Sequence, residues 1–160
     1  MTAAETSTTV LTPGVLLDHW QGHRRLTRRV IEAFPEEKLF SFSLGGMRPF
    51  SEMAMEFLTM AEPVAQGVAT GQWVENKVRG VKTKAELLAR WDAATAAIDA
   101  IWPTIPAQRF AEVDKAFGQW EMQGIAMILY AIDNEIHHRG QAYVYLRVLG
   151  IEPPAFFDRS

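Results

Sequence analysis

Four stretches of apolar residues spaced three and four apart, each closed by proline or glycine, commit this chain to helices. Thr12-Pro13 reads as an N-cap followed by proline at the first helical position, where the missing N–H costs nothing. Val15, Leu16, Trp20, Leu26, Val30 and Phe34 then recur at helical spacing, and Pro35 predicts a stop near Phe34. Residues 1–11 lie ahead of this helix and are expected to be flexible. The stretch 35–49 has Gly45-Gly46 and little periodicity, which predicts a long connection; the weak alternation of 38–44 (KLFSFSL) leaves a short extended piece open.

A second helix is expected from Pro49 to about Ala69 on the stripe Phe50, Met53, Phe57, Met60 and Val64, with Pro63 predicting a kink or break. Gly67, Gly71 and Gly80 mark a loop holding Trp73, and Thr83-Lys84-Ala85-Glu86 is a capping box that starts a third helix toward Pro103. After Pro103 and Pro106 a fourth helix is expected from about Trp120 to Leu149, stopped by Gly150 and Pro153-Pro154. No other strand signal stands out. The fold class is all-α, a four-helix bundle with long connections; such connections allow some neighbouring helices to run parallel.

The 160 residues form one expected domain, and 48% hydrophobic with 22% charged residues is enough apolar material for a core of its own. A net charge of -3 gives no bulk attraction to phosphate backbones, so no nucleic-acid partner is expected. The basic run Arg24, Arg25, Arg28, Arg29 reads as a solvated helix face. Without cysteine there is no disulfide, no Cys-ligated metal and no cysteine nucleophile. The first residues lack a signal-peptide pattern, and no apolar run approaches the roughly 20 residues that span a bilayer. A cytoplasmic address with no membrane partner is the expectation.

Chemistry is most concentrated in the fourth helix, where Asp133, Asn134, Glu135, His137, His138, Arg139 and Gln141 interrupt an apolar run and cannot all face water. With Ile132, Ile136, Tyr143 and Leu146 packed, Asn134, His138, Gln141 and Tyr145 form a bordering stripe, and His138 is expected to be partly buried. His19 and His23, at i and i+4, can in principle chelate one ion, but also fit a helix surface. Arg139, Gly140 and Gln141 read structurally, the glycine for close helix approach and the other two for buried carbonyls or carboxylates. The tryptophans 20, 73, 91, 102 and 120 and the methionines of the second helix read as core or interface. No P-loop, dinucleotide fingerprint or G-x-S-x-G nucleophile is present, so no cofactor box is expected.

The run 133–141 (DNEIHHRGQ), followed by YLR at 145–147, LG at 149–150 and PP at 153–154, resembles the last helix of the DinB-like family. PEEKL at 35–39, RPFSE at 48–52 and G-x-W at 71–73 extend the resemblance over nearly the whole chain. The resemblance implies a four-helix bundle, often a homodimer, with a divalent metal held by one histidine of the second helix and two of the fourth. Of these three positions only His138 keeps its histidine; Glu56 and Asn134 stand at the other two. Glu56, Asn134 and His138 are therefore the candidate metal ligands, with Glu135 in reserve although it points about 100° away from Asn134. A neutral amide in place of imidazole weakens a zinc or nickel site and tilts it toward harder ions such as manganese or iron.

Three functions follow. The first is a metal-dependent enzyme on small molecules, similar to a thiol S-transferase, in which the ion lowers the pKa of an exogenous low-molecular-weight thiol. The second is a non-catalytic dimeric stress-response or ligand-binding bundle whose metal centre has become a polar hydrogen-bond cluster. The third is metal-assisted hydrolysis with Glu56 as base.

Overall fold

The computed structural model describes residues 10–160, so most of the expected flexible start lies outside the described residues, and Val10 and Leu11 are exposed. Helix α1 spans Pro13–Ala33, and the Thr12 hydroxyl accepts from the Val15 N–H at 3.2 Å, satisfying one of the first turn's free donors. The 38–44 stretch is not extended throughout: Glu36 and Glu37 open a short helix α2, Glu36–Ser41. Two carboxylates at the positive end of a helix favour it, and Leu39 is buried beneath. The chain is extended only from Phe42, whose ring meets Tyr145 edge to face.

Helix α3, Phe50–Thr70, runs through Pro63 without a break. Gly67 belongs to this helix and not to the loop after it. It is glycine because Trp73 lies on it, and a Cβ there would sit 2.2 Å from the Trp73 ring. Gly71 ends the helix at φ 73°, donating to the Gly67 carbonyl. Gly67→Ala is expected to displace Trp73 and its 3.0 Å hydrogen bond to Asp114, at a cost of about 1–3 kcal/mol in chemical unfolding. An unchanged midpoint would contradict this packing.

Helix α4, Lys84–Ile101, starts on the expected box: Thr83 accepts from the Glu86 N–H, and Glu86 reaches back to the Lys82 N–H. Two 3-10 turns, Trp102–Thr104 and Ala107–Phe110, follow. The fourth long helix begins later than the sequence suggested, because Trp120 to Gln123 form a strand. Strands β1, Val113–Ala116, and β2, Trp120–Gln123, make an antiparallel hairpin closed through Phe117 and Gly118, both at positive φ. Helix α5, Gly124–Val148, follows directly.

The long helices form a bundle with two apolar layers. One takes Val30 and Ile31 of α1 with Phe34 just past its end, Phe50 to Leu58 of α3, Leu87 to Ala94 of α4 and Ala142 to Leu146 of α5. The other takes Leu16 and Trp20, Ala61 to Val68, Ile98 and Met127 to Ile132. This order makes α1 and α5 parallel, α3 and α4 parallel, and the two pairs opposed, with α3 facing both α4 and α5. Parallel neighbours need the long connections seen in the sequence.

Between the layers lies a buried polar seam along α1, where part of the basic run is not solvated. Arg24 is fully buried, its Nε donating to Thr95 and its guanidinium 4.1 Å over the Trp91 ring. Glu135 faces it from α5, accepts from the Thr27 hydroxyl and lies 3.9 Å from Arg24 and 3.7 Å from Arg139. Arg139 also donates to the His23 carbonyl and to His23 Nδ1 at 2.8 Å. Arg28 sits half-exposed on Asp92 and Glu32, while Arg25 and Arg29 hold carbonyls of the C-terminal segment.

Burial, then the charges of Arg139, Arg159 and His19, push the His23 imidazole down to about 3. The unfolded chain holds this proton below about pH 6.5 and the folded chain does not, so stability rises with pH across that interval and is lost on acidification. His23→Gln is expected to flatten the melting temperature against pH between pH 4 and 6.5. An unaltered slope would exclude His23 as its source.

Candidate functional site

The three residues singled out as ligands meet in the groove between α3 and α5. Glu56 is one position before the core residue Phe57 on α3, and Asn134 and His138 share a face of α5 at i and i+4. The Asn134 amide donates to Glu56 Oε1 at 3.1 Å, and His138 Nε2 lies 3.6 Å from the same oxygen. His138 is partly buried, its side chain 16% exposed, and its ring stacks on Phe57 with centroids 6.0 Å apart.

Two further residues complete the cluster. The Arg48 guanidinium pairs with Glu56 Oε2 at 2.5 Å, held there because the Tyr145 hydroxyl donates to the Arg48 carbonyl at 3.0 Å. Gln141 Oε1 lies 2.9 Å from His138 Nδ1. An amide oxygen only accepts, so in this arrangement His138 Nδ1 carries the hydrogen of that contact. Burial pushes the Glu56 carboxyl up, but hydrogen bonds from Arg48 and Asn134, with the charge of Arg48 and then of His138, outweigh it and hold the group below its ordinary range.

As arranged, these side chains do not fit a divalent cation. Both carboxylate oxygens are engaged, one by a guanidinium that an ion would have to displace. Asn134 presents its N–H to Glu56, while its Oδ1 is buried with no donor on it among the described residues. Among the described residues no three His, Cys, Asp or Glu side chains lie close enough to share an ion.

The other candidates are placed elsewhere. Glu135 is in the buried seam on the α1 side, consistent with its position one residue from Asn134. His23 Nδ1 is taken by Arg139, and the His19 and His23 rings meet edge to face at 4.6 Å. His137 is exposed, its Nε2 3.4 Å from the Gln141 amide and its ring edge to face with His138 at 4.8 Å. Gly140 is exposed with nothing near it, so it does not serve close helix approach. Gln141 serves His138, not a buried carbonyl. Arg139 satisfies the expected buried carbonyl. Trp20, Trp91 and Trp102 are core, whereas Trp120 is 52% exposed on the hairpin. Sequence reasoning missed Arg48, although it opens the RPFSE run, because nothing local shows it reaching two turns along α3. It also missed the Gln141 contact, which the i, i+3 spacing to His138 would have allowed.

A family model described as the DinB family matches residues 5–159. The chain is similar to the uncharacterized protein YjoA of Bacillus subtilis (strain 168), 24% identical over 149 residues that cover 90% of this chain and 95% of that one. Crystal structures of that DinB-like protein and of a DinB-like protein from Bacillus cereus superpose with TM-scores of 0.75 and 0.74, at 20% and 15% identity. They cover 91% and 90% of this chain and 99% and 97% of theirs.

Proposed function

The chain belongs to the DinB family, and we propose that it is a metal-independent member that binds a small molecule in the α3–α5 groove. The observation that carries this is the Arg48–Glu56–Asn134 arrangement. A guanidinium already sits on the one carboxylate, so a cation would gain less Coulomb energy and would have to displace both the part-exposed Arg48 and the Asn134 amide. His138 then acts as an oriented hydrogen-bonding group, fixed by Gln141 and Phe57, and not as a metal ligand.

A second reading, the metal-dependent thiol S-transferase, is favoured by one atom. Asn134 Oδ1 is buried without a donor, and rotating the amide would turn it toward Glu56 and His138, which only a cation would favour. A divalent ion held by Glu56, Asn134 and His138 would supply an acidified thiol. Calorimetric titration of zinc into the wild type and His138→Ala separates the readings. The expected result is equally weak binding in both; tight binding lost in His138→Ala would favour the transferase. Hydrolysis with Glu56 as base has less support, since Arg48 and Asn134 keep that carboxylate a poor base.

The reading includes a homodimer and a cytoplasmic address. Trp120, Tyr130, Val144 and Val148 leave apolar area exposed along the hairpin and α5, which suits a subunit contact, and among the described residues no helix is long and apolar enough to cross a membrane. Light scattering should give about twice 18.0 kDa; a monomer at micromolar concentration would remove the dimer.

A further inference from the structure

The hairpin does not lie flush on the bundle. Between the two is a cavity of about 200 Å³, with Met60 and Val64 of α3 and Met127 and Tyr130 of α5 on one side and Phe117, Trp120 and Met122 of the hairpin on the other. No lining residue carries a charge, and none belongs to the Glu56–Asn134–His138 cluster, so this space is separate from the polar site.

Phe117 adopts φ 53°, a left-handed turn position that glycine or asparagine usually fills and that a bulky side chain rarely takes. The turn accepts that strain and gains a ring in the cavity wall. The ring meets Trp120 edge to face at 6.3 Å and Trp73 at 5.4 Å. Trp73 in turn rests on Gly67 and donates to Asp114, while Arg109 pairs with Asp114 and donates to the Val68 carbonyl. The row of rings is thus pinned to α3 from its far end. An apolar void costs stability, and the hairpin cannot sink into this one without breaking that row.

Val64 and Met127 are buried at the floor, whereas Trp120 and Tyr130, both more than half exposed, leave the rim open. A charged ligand would lose hydration here and find no partner for its charge. Three thioether sulfurs and three aromatic rings favour a flat ring over a saturated one, because sulfur gains at ring edges and rings gain by offset stacking. An apolar cavity of about 150 Å³ already holds benzene, so this one has room for a substituted or fused ring. We propose that the cavity is a binding site for a neutral aromatic molecule of one or two fused rings, seated against the methionines with Trp120 and Tyr130 at its edge.

Calorimetric titration of the full chain with indole and benzyl alcohol, against benzoate and cyclohexylmethanol, tests this. Indole is expected to bind more tightly than benzyl alcohol because it buries more apolar area, cyclohexylmethanol several-fold more weakly, and benzoate not at all. The Trp120 indole N–H resonance, identified by its loss in Trp120→Phe, should shift on binding. Tyr130→Ala, at an exposed position that folding does not need, should weaken indole several-fold, and Met60→Trp should abolish binding by filling the space. If cyclohexylmethanol or benzoate binds as tightly as benzyl alcohol, the assignment of a neutral aromatic ligand falls. If no probe binds, or indole leaves Trp120 unshifted and still binds Met60→Trp, the site falls. Probes that bind only at dilutions where light scattering gives a monomer would make the rim a subunit contact and overturn the proposal. Each of these failures leaves the reading of Glu56 and His138 untouched, since neither residue lines the cavity.

Discussion

Glu135→Ala is expected to destabilise the fold by about 3–5 kcal/mol, more than any other single change considered for this chain. The carboxylate is fully buried between Arg24 and Arg139 and accepts from Thr27. Burial pushes its carboxyl up, and Arg24, Thr27 and Arg139 oppose that shift. Removing it leaves two guanidiniums in the seam without a counter-charge, and neither can lose its proton. A domain of this size is stable by only about 5–15 kcal/mol, so the variant would be near unfolding at physiological temperature. Glu135→Gln keeps the shape and the Thr27 contact and should cost less. Urea unfolding measures both; a loss under about 1 kcal/mol for alanine would mean that the seam is solvated.

Asn134→His should raise zinc affinity by on the order of a hundredfold or more. Outer-shell partners alone are worth ten- to hundredfold, and this change adds an inner ligand. A histidine at 134 would share a face with His138 at i, i+4 opposite Glu56, and would remove the amide that now holds Glu56 Oε1. Adding Arg48→Met should tighten binding again by freeing Oε2. Calorimetry that finds no gain in either variant would show that the groove cannot close on an ion even with the donors supplied.

The parts of this architecture that were legible from the sequence were those set by local chemistry. Thr12-Pro13 and the Thr83–Glu86 box start their helices because each places an oxygen on a free backbone N–H, a requirement visible in four residues. The pairing of Glu56 with Asn134 and His138 followed from resemblance combined with helical spacing. What was hidden depended on distant contacts. Trp120 and Met122 fit a helical stripe as well as a strand, and only the pairing of β2 with β1 decides between them. Arg24 looked solvated beside three other arginines, but Trp91, Thr95 and Glu135 all come to it from other helices. Arg48 escaped notice for the same reason: its role depends on Tyr145, 97 residues away, holding its backbone.

The most direct test of a metal-independent groove is the metal content of protein purified without a histidine tag, measured by mass spectrometry alongside its thermal unfolding with and without chelator. The Arg48–Glu56–Asn134 arrangement predicts substoichiometric zinc, nickel, manganese and iron and a melting temperature that chelator does not move. One ion per chain in the wild type, absent from His138→Ala and stripped by chelator with a fall in melting temperature, would contradict it.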